Sequence, residues 1–437
     1  MNKNKYIFNV YFIFLVIFSP LFYGLLLPLP FIIFQISCIF SIFLFFLYLL
    51  SNETIKIFYP SYWWLLLFFL LIIIFQITPL PYQILNVISP KTTYFYKNFI
   101  EDFEISKFYT LSIYKFNTQH GLLNYLCFFS IFFVTLNVFN KKKQFENLIF
   151  VLVFWSSLLC LYGIAKKYFI LEKEETASFS VFYNRNHFSS YMVMVFSLAL
   201  GYATYCKSKA KKFLFGFLAA LICASIFLSL SRAGSIVALF SFLFFIFLTK
   251  RGWLIKKSSW WVLVACVLIT IIFISTAGFE PIRRRFLEFQ KDLLNRTIPL
   301  IDALPIVKDF PLFGVGLGNF NYIFTSYTQH NFSRYIYHLL NEHLQLVIEI
   351  GIIGAFIYFL FLFSIFREIF IKLNKRADEF VKNIVAAGLA GLFGVILHGF
   401  FEFNFHIPAV SFLFWFLLGF IYKCVNTHFY NEREDNF

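Results

Sequence analysis

The chain has 437 residues, of which 60% are hydrophobic and only 14% charged, and its formal net charge is +15. This composition excludes a soluble globular protein, because apolar runs of about eighteen residues, long enough to cross the ~30 Å hydrocarbon core of a bilayer, recur along the sequence. The seven scattered cysteines contain no C-x-x-C pair and predict neither disulfide bonds nor a metal site.

Twelve apolar segments predict about twelve transmembrane helices and an all-α integral membrane protein that forms one polytopic domain over residues 1–437. Two longer polar stretches, 81–120 and 278–343, interrupt the series, and the second is predicted to be a large, partly helical loop before the last three spans. The predicted spans are 6–27, 30–50, 61–80, 121–140, 147–169, 187–206, 213–230, 235–249, 259–277, 344–368, 383–401 and 407–425.

Lysine and arginine cluster in alternate connections between the spans, for example at 141–143, 207–212 and 367–376. By the positive-inside rule these connections face the cytoplasm, which places both termini inside and the segments 81–120 and 278–343 outside. The basic excess then sets the orientation and meets anionic lipid, and no nucleic-acid partner is required. Seven of the eight histidines fall on or near the exterior side, which predicts chemistry at that face.

Two polar motifs stand at predicted exterior span ends. Asn184-Arg185-Asn186-His187 precedes the span 187–206 and is either an interfacial helix cap or a cluster of hydrogen-bond donors that binds substrate. Ser231-Arg232-Ala233-Gly234 lies in a short hairpin, where an arginine is costly unless it is paired or reaches water. Because a guanidinium matches phosphate oxygens, we predict that Arg232 contacts a diphosphate.

The large exterior loop contains Arg296 and a glycine-rich segment from Pro311 to Phe320. Its glycines, Gly314, Gly316 and Gly318, have G-x-G-x-G spacing, which is not the dinucleotide-binding fingerprint. We interpret them as positions that permit a tight turn or a close approach of the backbone to a ligand.

The segment from His338 to Gln345 leads into the span 344–368. If the helix begins near His338, then His338 and Glu342 lie four residues apart on one face, where a carboxylate can orient a general base; the alternative is an interfacial cap. The connection from His398 to His406 contains two histidines and Glu402, which is a weak signal for a metal site because no second carboxylate is evident.

Together these motifs resemble the O-antigen ligase and polymerase superfamily of bacterial inner membranes, over roughly residues 60–425. The resemblance implies transfer of a glycan from an undecaprenyl-diphosphate carrier to an acceptor such as lipid A–core at the periplasmic face, without cofactor, metal or nucleotide sugar. The segments that carry it are Asn184 to His187, Ser231 to Gly234, Arg296, Pro311 to Phe320, Asn341 to Gly354 and His398 to Trp415.

The resemblance also implies roles for individual residues. Arginines hold the diphosphate and a loop histidine activates the acceptor hydroxyl, which makes Arg232, Arg296, His338 and His343 the catalytic candidates. The family pattern places a histidine directly before Asn341, where this chain has Leu340, so that either His338 or His343 replaces it or the reaction proceeds without a base there. The substrate-binding candidates are Asn184, Arg185, Asn186, His187, Gly314, Gly316, Gly318, Asn341, Glu342 and His398.

Other functions remain open at this point. The stretch Pro79-Leu80-Pro81, followed by Ser89-Pro90, resembles the first exterior loop of the ligases. This resemblance favours the ligases over two other types in the superfamily, the O-antigen or exopolysaccharide polymerases and the protein O-oligosaccharyltransferases. A glycolipid transporter would have ionisable residues facing a cavity in several spans, together with internal repeats, whereas the charge here is concentrated in loops. A non-catalytic membrane assembly protein is the remaining alternative, which Leu340 favours.

Overall fold

The computed structural model describes residues 3–51, 56–100, 103–167, 178–250, 257–277, 283, 289–330, 332 and 335–429, and within them the chain is an all-α membrane protein. A two-stranded antiparallel ribbon, β1 Leu80–Pro81 with β2 Phe108–Tyr109, and a 3-10 helix at Asn404–His406 are the other elements of these residues. The helices are α1 Lys3–Phe18, α2 Leu21–Leu25, α3 Pro28–Leu50, α4 Trp63–Ile77, α5 Tyr82–Ile88, α6 Pro90–Phe99, α7 Lys115–Val138, α8 Lys142–Ala165, α9 Arg185–Tyr205, α10 Lys209–Leu228, α11 Arg232–Lys250, α12 Lys257–Ala277, α13 Phe289–Asp309, α14 Phe320–Phe324, α15 Glu342–Lys375, α16 Glu379–His398 and α17 Pro408–Asn426.

Nine helices of the described residues are long and apolar enough to cross a membrane, and each coincides with a predicted span. They are α3, α7, α8, α9, α10, α11, α15, α16 and α17. The total of twelve spans stays a prediction, since α4 has 15 residues and α1 has 16.

The predicted span 6–27 is wrong as a single helix. Helix α1 ends at Phe18, and the chain continues through Pro20 into a short turn in which Phe22 and Tyr23 have φ angles of 54° and 63°. Proline has no backbone N–H, and its ring clashes with the carbonyl one turn earlier, so it interrupts a helix that the apolar pattern alone would continue.

Helices α9, α16 and α17 form the centre of the bundle. The most apolar stretches of α17, α9 and α16 are 94%, 89% and 78% buried inside the protein, against 33% for α3, whose Ile36 and Phe46 are exposed. Small residues allow the central helices to approach closely: a Cβ added to Gly391 would lie 2.9 Å from the Cα of Met194. The outward-facing apolar side chains of α3 are suited to contact lipid.

The two ends of the bundle differ in charge. At one end lie the lysines of the helix connections, where the Lys142 ammonium is 4.9 Å from the Tyr205 ring and Arg376 donates to the Val425 carbonyl at 2.7 Å. At the opposite end lie the predicted site motifs, at the first turns of α9, α11 and α15. This separation is the one that the positive-inside rule predicts, while the side of the membrane that each end faces stays a prediction.

Helix α15 is broken near its start, and the glycine-rich segment fills the break. Gly351 has φ 70° and ψ 175°, which frees backbone groups on both sides of the break. Ile352 N donates to the Pro311 carbonyl at 2.8 Å, and Gly316 N donates to the Glu349 carbonyl at 3.0 Å. The side chain of Gln76 in α4 also donates to the Glu349 carbonyl, at 2.8 Å. The freed groups are thus satisfied by the loop, and the loop is fixed against α15.

Replacing Gly351 with alanine should therefore destabilise the protein by roughly 2–4 kcal/mol. Its backbone conformation is essentially restricted to glycine, and an added Cβ would lie 2.2 Å from the Leu312 carbonyl oxygen. Thermal unfolding of the purified protein measures this loss. Gly354→Ala is the matched control, because Gly354 is helical and its added Cβ meets only the Ile350 side chain at 3.1 Å. Equal melting temperatures for the two variants would contradict the prediction.

Candidate functional site

A buried ion pair and its hydrogen bonds connect four of the predicted motifs. Glu402, in the connection between α16 and α17, is 1% exposed and lies 3.3 Å from a terminal nitrogen of Arg296. The other terminal nitrogen of Arg296 donates to the Phe401 carbonyl at 2.7 Å. Asn186 donates its side-chain amide to Glu402 and accepts a 2.7 Å hydrogen bond from the hydroxyl of Ser231. A single chain of hydrogen bonds thus runs from the start of α11 to the large loop.

The Arg296 side chain is 30% exposed, so the guanidinium is anchored on its inner side while part of it reaches the surface. Burial raises the pKa of the Glu402 carboxyl above its usual range, and the Arg296 guanidinium opposes that shift. Arg232 follows Ser231 directly at the first turn of α11, so the hydrogen-bond chain brings both arginine segments to the same end of the bundle. An anchored guanidinium such as that of Arg296 is suited to bind an anion with several oxygens.

A second cluster lies at the first two turns of α15. Glu342, 5% exposed, accepts a hydrogen bond from Phe405 N at 3.0 Å and pairs with His406 Nδ1 at 3.2 Å. Burial disfavours the charged imidazole of His406, but the carboxylates of Glu342 and Glu349 outweigh it and raise its pKa to about 9. His406 is therefore protonated at neutral pH.

This ion pair makes stability depend on pH. Because the pKa of His406 is higher in the folded protein than the ordinary value of 6.5, its contribution is fully present below about pH 6.5 and is lost as the pH rises through about 9. The shift corresponds to roughly 3 kcal/mol. Melting temperatures of the wild type should fall between about pH 7 and pH 10 by more than those of His406→Gln, which cannot titrate there. Parallel curves for the two proteins would contradict the prediction.

Gln345 connects this cluster to His338. Its side-chain amide nitrogen lies 2.9 Å from a Glu349 oxygen, 3.1 Å from His406 Nε2 and 3.2 Å from His338 Nδ1. The His338 ring stacks on Phe403 with 4.8 Å between centroids. Burial, together with His406, holds the pKa of His338 well below its ordinary value. The imidazole is therefore neutral at physiological pH, which is the form that accepts a proton.

His343 lies outside this cluster. Its Nε2 is 2.9 Å from the Ile396 carbonyl, which only accepts, so that nitrogen carries the proton. The ring contacts Phe400 and Phe359, with centroid distances of 4.4 and 5.6 Å. Of the two histidines predicted to replace the position of Leu340, the structure joins His338 to the buried polar network and holds His343 against aromatic rings.

The two other predicted histidines lie beneath the site. His398 is fully buried, and its Nδ1 is 2.7 Å from the hydroxyl of Ser190, which also donates to Asn404 at 2.7 Å. His187 is 3% exposed and packs edge-on against Phe403 at 5.0 Å. Both fix the connection between α16 and α17 to helix α9.

The remaining predicted residues have visible structural roles, and their contact with substrate stays a prediction. Asn184 caps α9 by accepting from Asn186 N at 2.8 Å, Asn341 caps α15 by accepting from Leu344 N at 3.0 Å, and Arg185 is the first residue of α9. The three predicted glycines all have positive φ. A Cβ on Gly314 would lie 2.5 Å from the backbone of Glu349, whereas Gly318 N donates to the Glu349 carboxylate at 2.9 Å.

Five polar residues that hold the site together were not among the predicted site residues, namely Ser190, Gln345, Glu349, Glu402 and His406; the sequence offered Glu402 and His406 only as a weak metal signal. A signal was available for two of them. Gln345 and Glu349 are four residues apart in an apolar span, where ionisable and amide side chains are costly unless they are paired. The sequence also contains the run Arg283-Arg284-Arg285, which is typical of a solvated or headgroup-binding face, and residues 284 and 285 of it lie outside the described residues.

Fold and site together define a polytopic membrane protein with paired arginine, carboxylate and histidine groups at one end of its helix bundle. Residues 215–359 match the family model described as O-Antigen ligase, which supports the O-antigen ligase superfamily that the sequence motifs predict. The matched segment includes Arg232, Arg296, the glycine-rich loop and the start of α15, and it ends before Glu402. No curated protein matches the chain.

Proposed function

We propose that the protein is a glycan ligase of the bacterial inner membrane. It would transfer an O-antigen-type polysaccharide from undecaprenyl diphosphate to an acceptor such as lipid A–core at the periplasmic face. The observation that supports this most is the hydrogen-bond chain Ser231–Asn186–Glu402–Arg296, because it gathers two arginine segments at one end of the bundle. The neutral His338 ring stacks on Phe403, the residue that follows Glu402.

The proposed reaction is one displacement at the anomeric carbon of the lipid-linked sugar. The acceptor oxygen forms the new glycosidic bond, its proton passes to His338, and the bond to the diphosphate oxygen breaks. Negative charge then builds up on the undecaprenyl diphosphate that leaves. Arg296, held by Glu402 and the Phe401 carbonyl, needs little rearrangement to stabilise that charge, and Arg232 supplies a second guanidinium.

The proposal needs neither a metal nor a nucleotide sugar, because the diphosphate is already the leaving group and the arginines neutralise it. A polymerase or a protein O-oligosaccharyltransferase of the same superfamily would use the same donor end of the site. The acceptor therefore decides between these functions.

A complementation experiment tests the proposal. We expect deletion of the gene to leave long lipid-linked polymer that is not attached to lipid A–core. Loss of a polymerase would instead leave single repeats. Complementation with Arg232→Ala at matched protein levels should lower the polymer-bearing lipopolysaccharide at least about 100-fold. Arg367→Ala, an exposed arginine near the other end of α15, should restore the full ladder. A normal ladder from Arg232→Ala would remove Arg232 from the mechanism.

A further inference from the structure

A cavity of about 340 Å³ opens beside the histidine cluster, between the start of α7, the first turns of α15, the start of α17 and the turn before α3. Glu342, Glu349 and His406 form one wall of it. Among the described residues that line it there is no arginine or lysine, so the cavity is chemically distinct from the end of the site that contains Arg296. Its volume lies in the range of small-molecule sites, about 300–1,000 Å³.

Three aromatic side chains that line the cavity carry polar groups with no protein partner. The hydroxyls of Tyr125 and Tyr358 and the indole N–H of Trp415 make no hydrogen bond to any residue that the structure describes. The three rings are neighbours, with 6.2 Å between the centroids of Tyr125 and Tyr358 and 6.2 Å between those of Tyr358 and Trp415. Tyr358 is 5% and Trp415 1% exposed. Polar groups that line a cavity and have no protein partner are free to donate to a bound ligand, so they fit a ligand with hydrogen-bond acceptors.

The rest of the lining specifies the ligand further. The carboxylates of Glu342 and Glu349 accept hydrogen bonds, and the Asn117 and Asn124 amides at the start of α7 are also polar. Two carboxylates against the one imidazolium of His406 repel a phosphate. A sugar ring fits this set of groups, since its C–H face packs on aromatic rings and its hydroxyls both donate to carboxylates and accept from tyrosine and indole groups.

We propose that this cavity binds an uncharged saccharide unit of the acceptor. Binding there would bring an acceptor hydroxyl to the Glu342–His406 pair, beside His338, while the donor diphosphate binds at Arg296. That the ligand is a sugar rests on the cavity alone; that it belongs to the acceptor rests on the proposed function.

Photocrosslinking in cells tests this assignment. p-Benzoylphenylalanine replaces Leu26, which lines the cavity and is 42% exposed, in the full-length protein. We expect irradiation to give an adduct that stains for glycan and contains lipid A. The same residue introduced at Phe43, which is 53% exposed on α3 and does not line the cavity, should give no glycan-positive adduct.

Two variants test whether the tyrosine hydroxyls of the cavity bind the ligand. Tyr125→Phe combined with Tyr358→Phe removes two hydroxyls and keeps both rings, and it should lower the yield of adduct about tenfold. Tyr59→Phe, an exposed tyrosine that does not line the cavity, should leave the yield unchanged. Thermal unfolding of both purified variants verifies that they fold.

Each other outcome overturns the assignment in a distinct way. An adduct with phospholipid only, or a yield that the folded double variant does not change, would exclude a sugar site. An adduct that disappears when the lipid-linked donor is not synthesised would assign the cavity to the donor glycan instead. The adduct should persist in Arg296→Ala. If Arg296→Ala kept both the adduct and full transfer activity, the proposed function would be contradicted and the sugar site would not.

Discussion

Replacing Arg296 with alanine should lower the rate of glycan transfer by roughly 100- to 1,000-fold, measured with the purified protein, a lipid-linked glycan and lipid A–core. The guanidinium is anchored by Glu402 at 3.3 Å and by the Phe401 carbonyl at 2.7 Å, so it is oriented before the diphosphate charge develops. Removing one such preorganised donor from the transition state costs this much in other enzymes. Arg296→Lys should recover only part of the rate, because lysine keeps the charge and loses the planar fork.

Two controls separate catalysis from folding. Lys308→Ala removes an exposed cation from the same helix, α13, and should leave the rate unchanged. Because Arg296→Ala leaves the Glu402 carboxyl buried without its cation, the combination Arg296→Ala with Glu402→Gln should regain thermal stability but not activity. Full activity in the combined variant would show that Arg296 only compensates the charge of Glu402.

The second large effect is expected at His338. His338→Ala should lower transfer roughly 100- to 10,000-fold, the range for loss of a general base, and should leave binding of the lipid-linked donor unchanged. The reason is its position, with the neutral imidazole in contact with Gln345 at 3.2 Å and beside the His406 ring, at a centroid distance of 4.4 Å.

His343→Ala is the matched control, because the His343 ring hydrogen-bonds to a backbone carbonyl and packs against Phe400. We expect it to change the transfer rate by no more than about twofold, with a moderate loss of stability from the broken hydrogen bond. Adding Leu340→His to the inactive His338→Ala variant should restore part of the rate, since it supplies a histidine where the family pattern has one. If His343→Ala were the inactive variant, the two histidines would have to exchange roles.

The sequence was sufficient for the fold class and for the approximate positions of the nine spanning helices. Uninterrupted apolar runs leave a buried backbone no alternative to helix in a membrane, so each of the nine spanning helices coincides with a predicted segment. The prediction of one continuous helix was wrong at Pro20, where the apolar run continues although the helix is interrupted. Hydropathy averages over the one residue whose missing N–H ends the helix.

The motifs of the site were also visible in the sequence, but their partners were not. Arg296 and Glu402 are 106 residues apart in the chain, and Gln76 lies 273 residues from the Glu349 carbonyl that it contacts. Such pairs arise only when helices pack, because no local periodicity relates their positions. For the same reason the sequence could not distinguish His338 from His343.

By itself, the sequence determined an all-α membrane protein with its polar motifs at span ends, because burial in lipid imposes a hydropathy pattern that local sequence records. Those motifs also predicted the family model that residues 215–359 match. Only the tertiary structure decided that Glu402 anchors Arg296, that His406 is charged by Glu342 and that His338 rather than His343 enters the network. These pairings depend on distances of about 3 Å between distant segments, which are fixed by helix packing and by the break at Gly351.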